Sequence, residues 1–403
     1  MPDDDFYRRG FDRFNARDYE GWIALWTEDC VWRPATVGGV EGEGGTYRGH
    51  AGLRRYLEQA TTHFEELRME PDEFEQMGRI TFVTGHAVGR GRQSGADVRQ
   101  PVAWVLEITP DDRVRRGFSS FDIDAARAQA REWQETPWLP APAVMGVVNV
   151  TPDSFSDGGE FLAAADAIAH GRQLAADGAH ILDIGGESTR PGAQPVDADE
   201  ELRRVLPVIE GLAGGGARIS VDTTKVEVAS RAIDAGASLV NDVSAFRFEP
   251  ELAGLVAEAG VECCLMHMLG EPRTMQDDPR YADVVADVKA FLEERVAFAT
   301  AAGVREERIW LDPGIGFGKT LEHNLELLRR LDEIVALGRP VVVGTSRKSF
   351  LGKLTGKAEK ERLPGTIATN VLALERGARV FRVHDVAEVA DALGVAAATL
   401  GRA

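Results

Sequence analysis

The sequence predicts an α/β protein: a (β/α)8 barrel over residues 143–403, preceded by a small α+β domain over residues 1–128 and a linker at 129–142. Three observations carry that prediction. From residue 143 onward, short apolar runs alternate with longer amphipathic segments about eight times in roughly 260 residues, the period and length of such a barrel. Several amphipathic segments stop at a Gly-Ala pair before the next apolar run (Gly178-Ala179, Gly236-Ala237, Gly377-Ala378), where glycine closes a helix in a left-handed cap. The opening residues follow another pattern, and 403 residues exceed what one core usually grows to. A doubly wound open sheet is the rival, but it would more often have fewer strands and a glycine fingerprint after the first.

In order, the first domain reads as helices at 4–15 and 20–26, a strand beginning at 28–32, a helix at 50–64, then strands at 79–89, 98–108 and 114–121. Pro110-Asp111-Asp112 separates the last two strands as a hairpin turn. The linker holds Trp133, Trp138 and three prolines (Pro137, Pro140, Pro142), which stiffen it. The barrel strands read as 144–150, 180–185, 218–222, 238–243, 262–268, 308–312, 340–344 and 379–383. Helices follow them at 161–177, 200–212, 226–235, 250–259, 282–302, 321–337, 365–376 and 387–400.

Composition excludes several classes of function. With 44% hydrophobic and 28% charged residues, the chain is an ordinary soluble globular protein rather than a disordered one. Its 65 acids against 46 bases give a formal charge of −19, which repels phosphate backbones, so no nucleic-acid partner is expected. An anionic substrate must then be held by local bases and backbone dipoles. No uncharged apolar run reaches the ~20 residues of a membrane span. The acidic start, Met1-Pro2-Asp3-Asp4-Asp5, lacks the layout of a secretory signal, so a cytoplasmic location is expected. Cys263 and Cys264 are neighbours in an apolar run, and on a strand they would face opposite ways as two small core residues; no metal-ligand spacing accompanies them or Cys30.

A barrel of this kind builds its site from the loops after its strands, and those loops are where the sequence turns polar. They carry Asn149, then 185–193 with Thr189, Arg190 and Pro191, then Asp222, Asn241, His267, Asp312 with Phe317, Lys348 with Ser349, and Arg382 with His384. Asp222, Asn241 and Asp312 sit at the ends of buried strands, where such groups need partners, and they suit a flat heterocycle with N–H donors and carbonyl acceptors. Arg347, Lys348, Arg382 and His384 offer cationic donors to an oxyanion. Asn149 could give magnesium one oxygen ligand beside substrate phosphates. Singly, Asp222 could equally be a helix cap, and Asn149, Asn241 or His384 a structural group. Gly316-Phe317-Gly318-Lys319-Thr320 is not a phosphate-binding loop, because Pro313 stands where its first glycine is needed.

The strings at 145–159 (MGVVNVTPDSFSDGG), 182–193 (LDIGGESTRPGA), 311–319 (LDPGIGFGK), 345–352 (TSRKSFLG) and 382–386 (RVHDV) closely resemble the dihydropteroate synthases, in order and without a missing block. The resemblance implies an enzyme joining a hydroxymethyl-dihydropterin pyrophosphate to para-aminobenzoate, with Mg2+ as cofactor and sulfonamides as inhibitors. It implies that Asp222, Asn241, Asp312 and Lys348 hold the pterin, and that Asn149, Arg382 and His384 hold the pyrophosphate, with Asn149 on the metal. Thr189, Arg190, Pro191, Phe317 and Ser349 would line the para-aminobenzoate pocket. Family members commonly carry Phe where this chain has Ile315. Alternatives are a non-catalytic pterin-binding paralogue and a methyltetrahydrofolate-type methyltransferase. The first domain resembles the NTF2-like/SnoaL-like superfamily, through Tyr47-Arg48-Gly49-His50 entering a helix and the closing hairpin at Phe121-Asp122. That fold hosts many functions, so an accessory binding or dimerising module is expected, and a homodimer with it.

Overall fold

The computed structural model describes residues 4–35, 45–92, 97–109, 112–135, 142–150, 159–189, 192 and 194–400. Its contacts divide the chain into two compact units, Met1–Trp138 and Leu139–Ala403.

The first unit runs α1 (Asp4–Asn15), α2 (Tyr19–Ile23), β1 (Trp26–Arg33), β2 (Tyr47–Arg48), α3 (Gly49–His63), β3 (Phe64–Met77), β4 (Ile80–Gly91), β5 (Asp97–Ile108), β6 (Val114–Ser120) and α4 (Ile123–Glu135). The six strands form one sheet in the order β2-β1-β6-β5-β4-β3. Side chains alternate across it, so Val83, Trp104 and Leu106 join the core with Phe6, Tyr7, Phe14, Leu53 and Tyr56 from the helices. Their neighbours Phe82, Ala103 and Val105 pack on the other face against Ala126, Ala130 and Trp133 of α4. The first half of the expected linker is therefore a packed helix rather than a connector, because Ala126, Ala130 and Trp133 recur at helical spacing on one apolar stripe. Its Pro137 and Pro140 lie outside the described residues. Trp26 belongs to β1 and not to the helix expected at 20–26. The acidic strand β3 was not expected at all; it is the sheet's edge, half of its residues exposed, and its register shifts between Pro71 and Glu73, where proline cannot donate to the ladder.

The second unit has eight parallel strands: β7 (Ala143–Asn149), β8 (Ile181–Gly185), β9 (Arg218–Asp222), β10 (Leu239–Asp242), β11 (Glu262–Met266), β12 (Ile309–Asp312), β13 (Val342–Val343) and β14 (Val380–Val383). They pair in sequence order, β14 pairs β7, and a parallel bridge from Leu311 to Val341 completes the ring. The helices are α5 (Gly159–Ala176), α6 (Ala198–Leu212), α7 (Val226–Asp234), α8 (Leu252–Ala259), α9 (Val284–Ala301), α10 (Leu321–Arg329), α11 (Leu331–Val335), α12 (Ser349–Thr355), α13 (Leu363–Glu375) and α14 (Val386–Thr399). The single helix expected at 321–337 breaks at Arg330, and α12 was missed as too short to show a period.

Strand parity sorts the core into two shells. Outward residues such as Val144, Leu182, Cys263 and Leu311 pack under the helices, while Met145, Ile181, Leu239, Cys264, Trp310, Val342 and Val380 fill the inside. The vicinal cysteines thus face opposite shells, as expected. An ion pair between Arg218 and Glu262, at the starts of β9 and β11, lies beneath this layer, with Arg218 5.7 Å from the Trp310 ring centroid.

Candidate active site

Two residues farther along the inward-facing rows, the apolar layer gives way to a polar one. Asp183 follows Ile181, Asn241 follows Leu239, Asp312 follows Trp310 and Arg382 follows Val380. Asp183 is fully buried and accepts three hydrogen bonds: from Ser220 Oγ at 2.6 Å, Asn241 Nδ2 at 3.1 Å and Arg382 Nε at 2.6 Å. Arg382 also donates from Nη2 to Asp222 at 2.8 Å. One guanidinium is thereby fixed between two carboxylates from β8 and β9, the planar two-point geometry that arginine satisfies and lysine does not. Burial pushes Asp222 up to about 7, against the pull of Arg382 and with the negative field of Asp183, Glu201 and Asp242 adding to it. The Arg382 guanidinium, flanked by Asp183 and Asp222, is held firmly charged.

The loop after β12 shapes the opposite wall. Gly314, Gly316 and Gly318 all take left-handed backbone conformations. A Cβ on Gly314 would meet the His267 carbonyl oxygen at 1.9 Å, and one on Gly316 would meet Lys348 Cδ at 2.9 Å, so only glycine lets this loop close. Asp312 caps the turn by accepting from Gly314 N at 2.6 Å, while burial raises its pKa. Lys348 crosses the loop, donating to Ile315 O at 2.6 Å with its ammonium 4.0 Å from the Phe317 ring centroid. Burial lowers it to about 7, opposed by Asp312. Lys319 points away from any phosphate-binding role: it is buried and donates to His267 Nδ1 at 2.8 Å and Phe317 O at 2.9 Å. His267, pushed down to about 2 chiefly by burial, stays a neutral acceptor.

These groups share one hollow of about 440 Å³, mouth included. Eight of the twelve expected site residues line it: Thr189, Asp222, Asn241, Asp312, Phe317, Lys348, Arg382 and His384. Asn149 ends β7, paired in register with Gly185, and Ser349 opens α12; neither lines that hollow. Arg190 and Pro191 lie outside the described residues. Arg347, offered as an anion donor, instead binds Asp385 through both Nε, at 3.0 Å, and Nη2. It holds a left-handed φ of 58° immediately before Lys348. His384 Nδ1 lies 3.0 Å from Ser346 Oγ. Asp183 and Ser220 were missed, although a carboxylate inside the run His180-Ile181-Leu182-Asp183-Ile184 was itself a signal. So was a second cluster beside the site, in which Lys225 Nζ joins Glu201, at 2.5 Å and fully buried, to Glu187.

Comparison with known proteins agrees with this geometry. Residues 145–384 match the pterin binding enzyme family, and residues 7–117 match the SnoaL-like domain. The dihydropteroate synthase of Escherichia coli (strain K12) is 48% identical over 263 residues, covering 65% of this chain and 93% of its own. The chain belongs to the dihydropteroate synthase family. The Synechocystis synthase is likewise 48% identical, over 64% of this chain and 90% of its own. Among solved structures, the Xanthomonas albilineans synthase with 4-aminobenzoic acid is 50% identical with a TM-score of 0.61, covering 65% of this chain and 93% of its own. The Yersinia pestis synthase in a sulfonamide complex is 44% identical with a TM-score of 0.62, covering 65% of this chain and 95% of its own. Against that family pattern, Ile315 is buried in the barrel core, and it is its carbonyl, not its side chain, that Lys348 uses.

Proposed function

We propose that the barrel of this synthase condenses hydroxymethyl-dihydropterin pyrophosphate with para-aminobenzoate, and that the inward polar layer is where it does so. The observation that carries the reading is the shared hollow: Asp222, Asn241, Asp312 and Lys348, from four different strand ends, face one buried space. Their acceptors and donors match the amide-like edge of a pterin, which buries well only where each polar atom is met. Arg382 and His384 then stabilise the leaving pyrophosphate, and Thr189, Phe317 and Ser349, with Arg190 and Pro191, take the aryl substrate.

The chemistry needs no strong base. The methylene C–O bond breaks with its electron pair leaving on pyrophosphate, the para-aminobenzoate nitrogen forms the new C–N bond, and that nitrogen loses a proton. Electrostatic stabilisation of the departing oxygens is the largest demand, and Arg382 is pre-oriented for it by Asp183. Among the described residues, no cluster of three or more His, Cys, Asp or Glu could cage a metal ion. Asn149, at the end of β7, would give magnesium one oxygen ligand, and substrate phosphates and water would supply the rest. When bound, the ion would neutralise pyrophosphate charge as it develops. Supplying the purified chain with both substrates and magnesium should release pyrophosphate and yield dihydropteroate. No turnover would favour a non-catalytic paralogue, and methyl transfer from methyltetrahydrofolate would favour a methyltransferase.

The first unit serves as an accessory binding or dimerising module, on a homodimer in the cytoplasm. The buried, unbridged Cys30, Cys263 and Cys264 suit a reducing compartment. Among the described residues, no helix is long and apolar enough to cross a membrane. A chain starting at Leu139 should keep synthase activity if the module is accessory and lose it if the module is obligatory.

A further inference from the structure

Four side chains hold the backbone of the loop after β12. The carbonyls of Ile315, Gly316, Phe317 and Gly318 each accept from a different donor: Lys348 Nζ at 2.6 Å, Gln276 Nε2 at 2.6 Å, Lys319 Nζ at 2.9 Å and the Tyr281 hydroxyl at 2.7 Å. Lys348 also faces the reaction hollow, and Gln276 and Tyr281 reach in from the segment after β11. Lys319 is the unusual member. It is 3% exposed, and its partners are an imidazole and two carbonyls rather than a carboxylate. Burying an ammonium in this way is unfavourable, and methionine would fill the same space without that penalty, so the position needs an account beyond packing.

The bonds of the ammonium say what it ties together. It donates to His267 Nδ1 at 2.8 Å and reaches the His267 carbonyl at 3.4 Å. His267 is itself fixed: its backbone N–H donates to Asp312 O at 3.0 Å, and its ring stands edge-on to Phe291 at 4.8 Å between centroids. The remaining bond goes to the carbonyl of Phe317, whose own N–H donates to Gly314 O at 3.0 Å. Phe317 stands between Gly316 and Gly318, both left-handed, with φ of 85° and 62°. Glycine restrains its neighbours least, so the peptide after Phe317 is held by Lys319 rather than by steric limits. The Phe317 ring lines the hollow and packs against the cluster of Val243, Met266, Met268 and Met275. Methionine adapts to whatever it touches, so that cluster does not by itself fix the ring.

We propose that Lys319 is a positioning residue for the aryl substrate: by tying the Phe317 carbonyl to His267, it sets where the Phe317 ring stands against para-aminobenzoate. The inference deepens the reading of the hollow given above and rests on its aryl site. Lys319 does not line the hollow itself, so it acts through Phe317. The pterin contacts come from Asp222, Asn241, Asp312 and Lys348, and Lys348 keeps its own bond to Ile315 O when Lys319 is replaced. A brace on Phe317 therefore affects one substrate, where a general brace of the barrel would affect both.

Steady-state kinetics of Lys319→Met test this, with each substrate varied in turn and circular dichroism reporting the fold. KM for para-aminobenzoate should rise at least about tenfold, while KM for the pterin pyrophosphate stays within about twofold of wild type. In a Phe317→Ala chain the ring is already gone, so adding Lys319→Met should change KM for para-aminobenzoate by less than about twofold. An unchanged KM for para-aminobenzoate, equal rises in both KM values, or effects that multiply fully in the double variant would overturn the proposal. If Lys319→Met does not fold, Lys319→Gln, whose amide donates without a charge, carries the same comparisons. Failure of both to fold makes Lys319 a residue of folding and overturns the proposal too. No dihydropteroate from wild type would sink the synthase reading and this inference with it, whereas wild-type turnover with an unchanged KM in the variant sinks this inference alone.

Discussion

Asp183→Asn is the perturbation that reads the barrel's inner network most directly. The side chain is fully buried and serves three donors: Ser220, Asn241 and Arg382. Asparagine keeps the shape but removes the charge and turns one acceptor into an NH2 that faces a donor. Breaking a buried ion pair costs about 3–5 kcal/mol, and since Arg382 keeps Asp222, roughly half of that applies. A donor left unsatisfied adds about 1 kcal/mol, at the low end because the Ser220 hydroxyl can reverse. The sum is ~3 kcal/mol, which for a domain of this size lowers the melting temperature by about 6–12 °C. Arg382 and Asn241 lose their anchor as well, so kcat/KM should fall at least about tenfold. Thermal unfolding by circular dichroism and steady-state kinetics check both. A variant that melts within about 2 °C of wild type and turns over normally would refute the reasoning.

Three further outcomes follow from the same site. Lys348 is lowered from 10.5 to about 7 by burial, so between those values the unfolded chain holds more protons and the wild type gains stability as pH rises through that window. Lys348→Met, free of that penalty, should be ~2 kcal/mol more stable than wild type near about pH 6, with the advantage fading toward about pH 10, while activity is lost; denaturant titrations across pH measure it. Gly314→Ala forces a left-handed alanine whose Cβ meets a carbonyl at 1.9 Å, so it should cost ~3 kcal/mol or more and raise KM for the pterin substrate. On the proposal that Asn149 would hold magnesium only together with the substrate phosphates, chelation with EDTA should stop pyrophosphate release and leave the melting temperature unchanged; turnover restored by adding back magnesium completes that test, and full turnover in EDTA would overturn the proposal.

Most of the barrel was legible because each strand-and-helix unit repeats a period, and Gly-Ala stops mark its seams. What escaped notice lacked a period of its own. β3 is an acidic edge strand that buries only Met69, with Leu67 and Phe74 half-buried beside it, and α12 spans too few residues to show a face. α4 hid behind the prolines that follow it. The site was legible where motif and strand end coincide, as at Asp222, Asn241, Asp312, Lys348 and Arg382. Asp183 shares the polar layer with Asn241, Asp312 and Arg382, but it stands inside an apolar run two residues before the end of β8, and its role depends on Arg382, 199 residues away in sequence. Arg347 shows the converse: beside Lys348 it read as a ligand donor, yet its partner Asp385 comes from the start of the last helix.

The most direct measurement is the rate of dihydropteroate formation by Lys348→Ala and by Asp312→Ala, each purified and shown by circular dichroism to be folded. Both side chains face the shared hollow, so each should lose at least about 100-fold in kcat/KM while keeping its secondary structure. A folded variant of either that makes dihydropteroate at the wild-type rate would contradict the account.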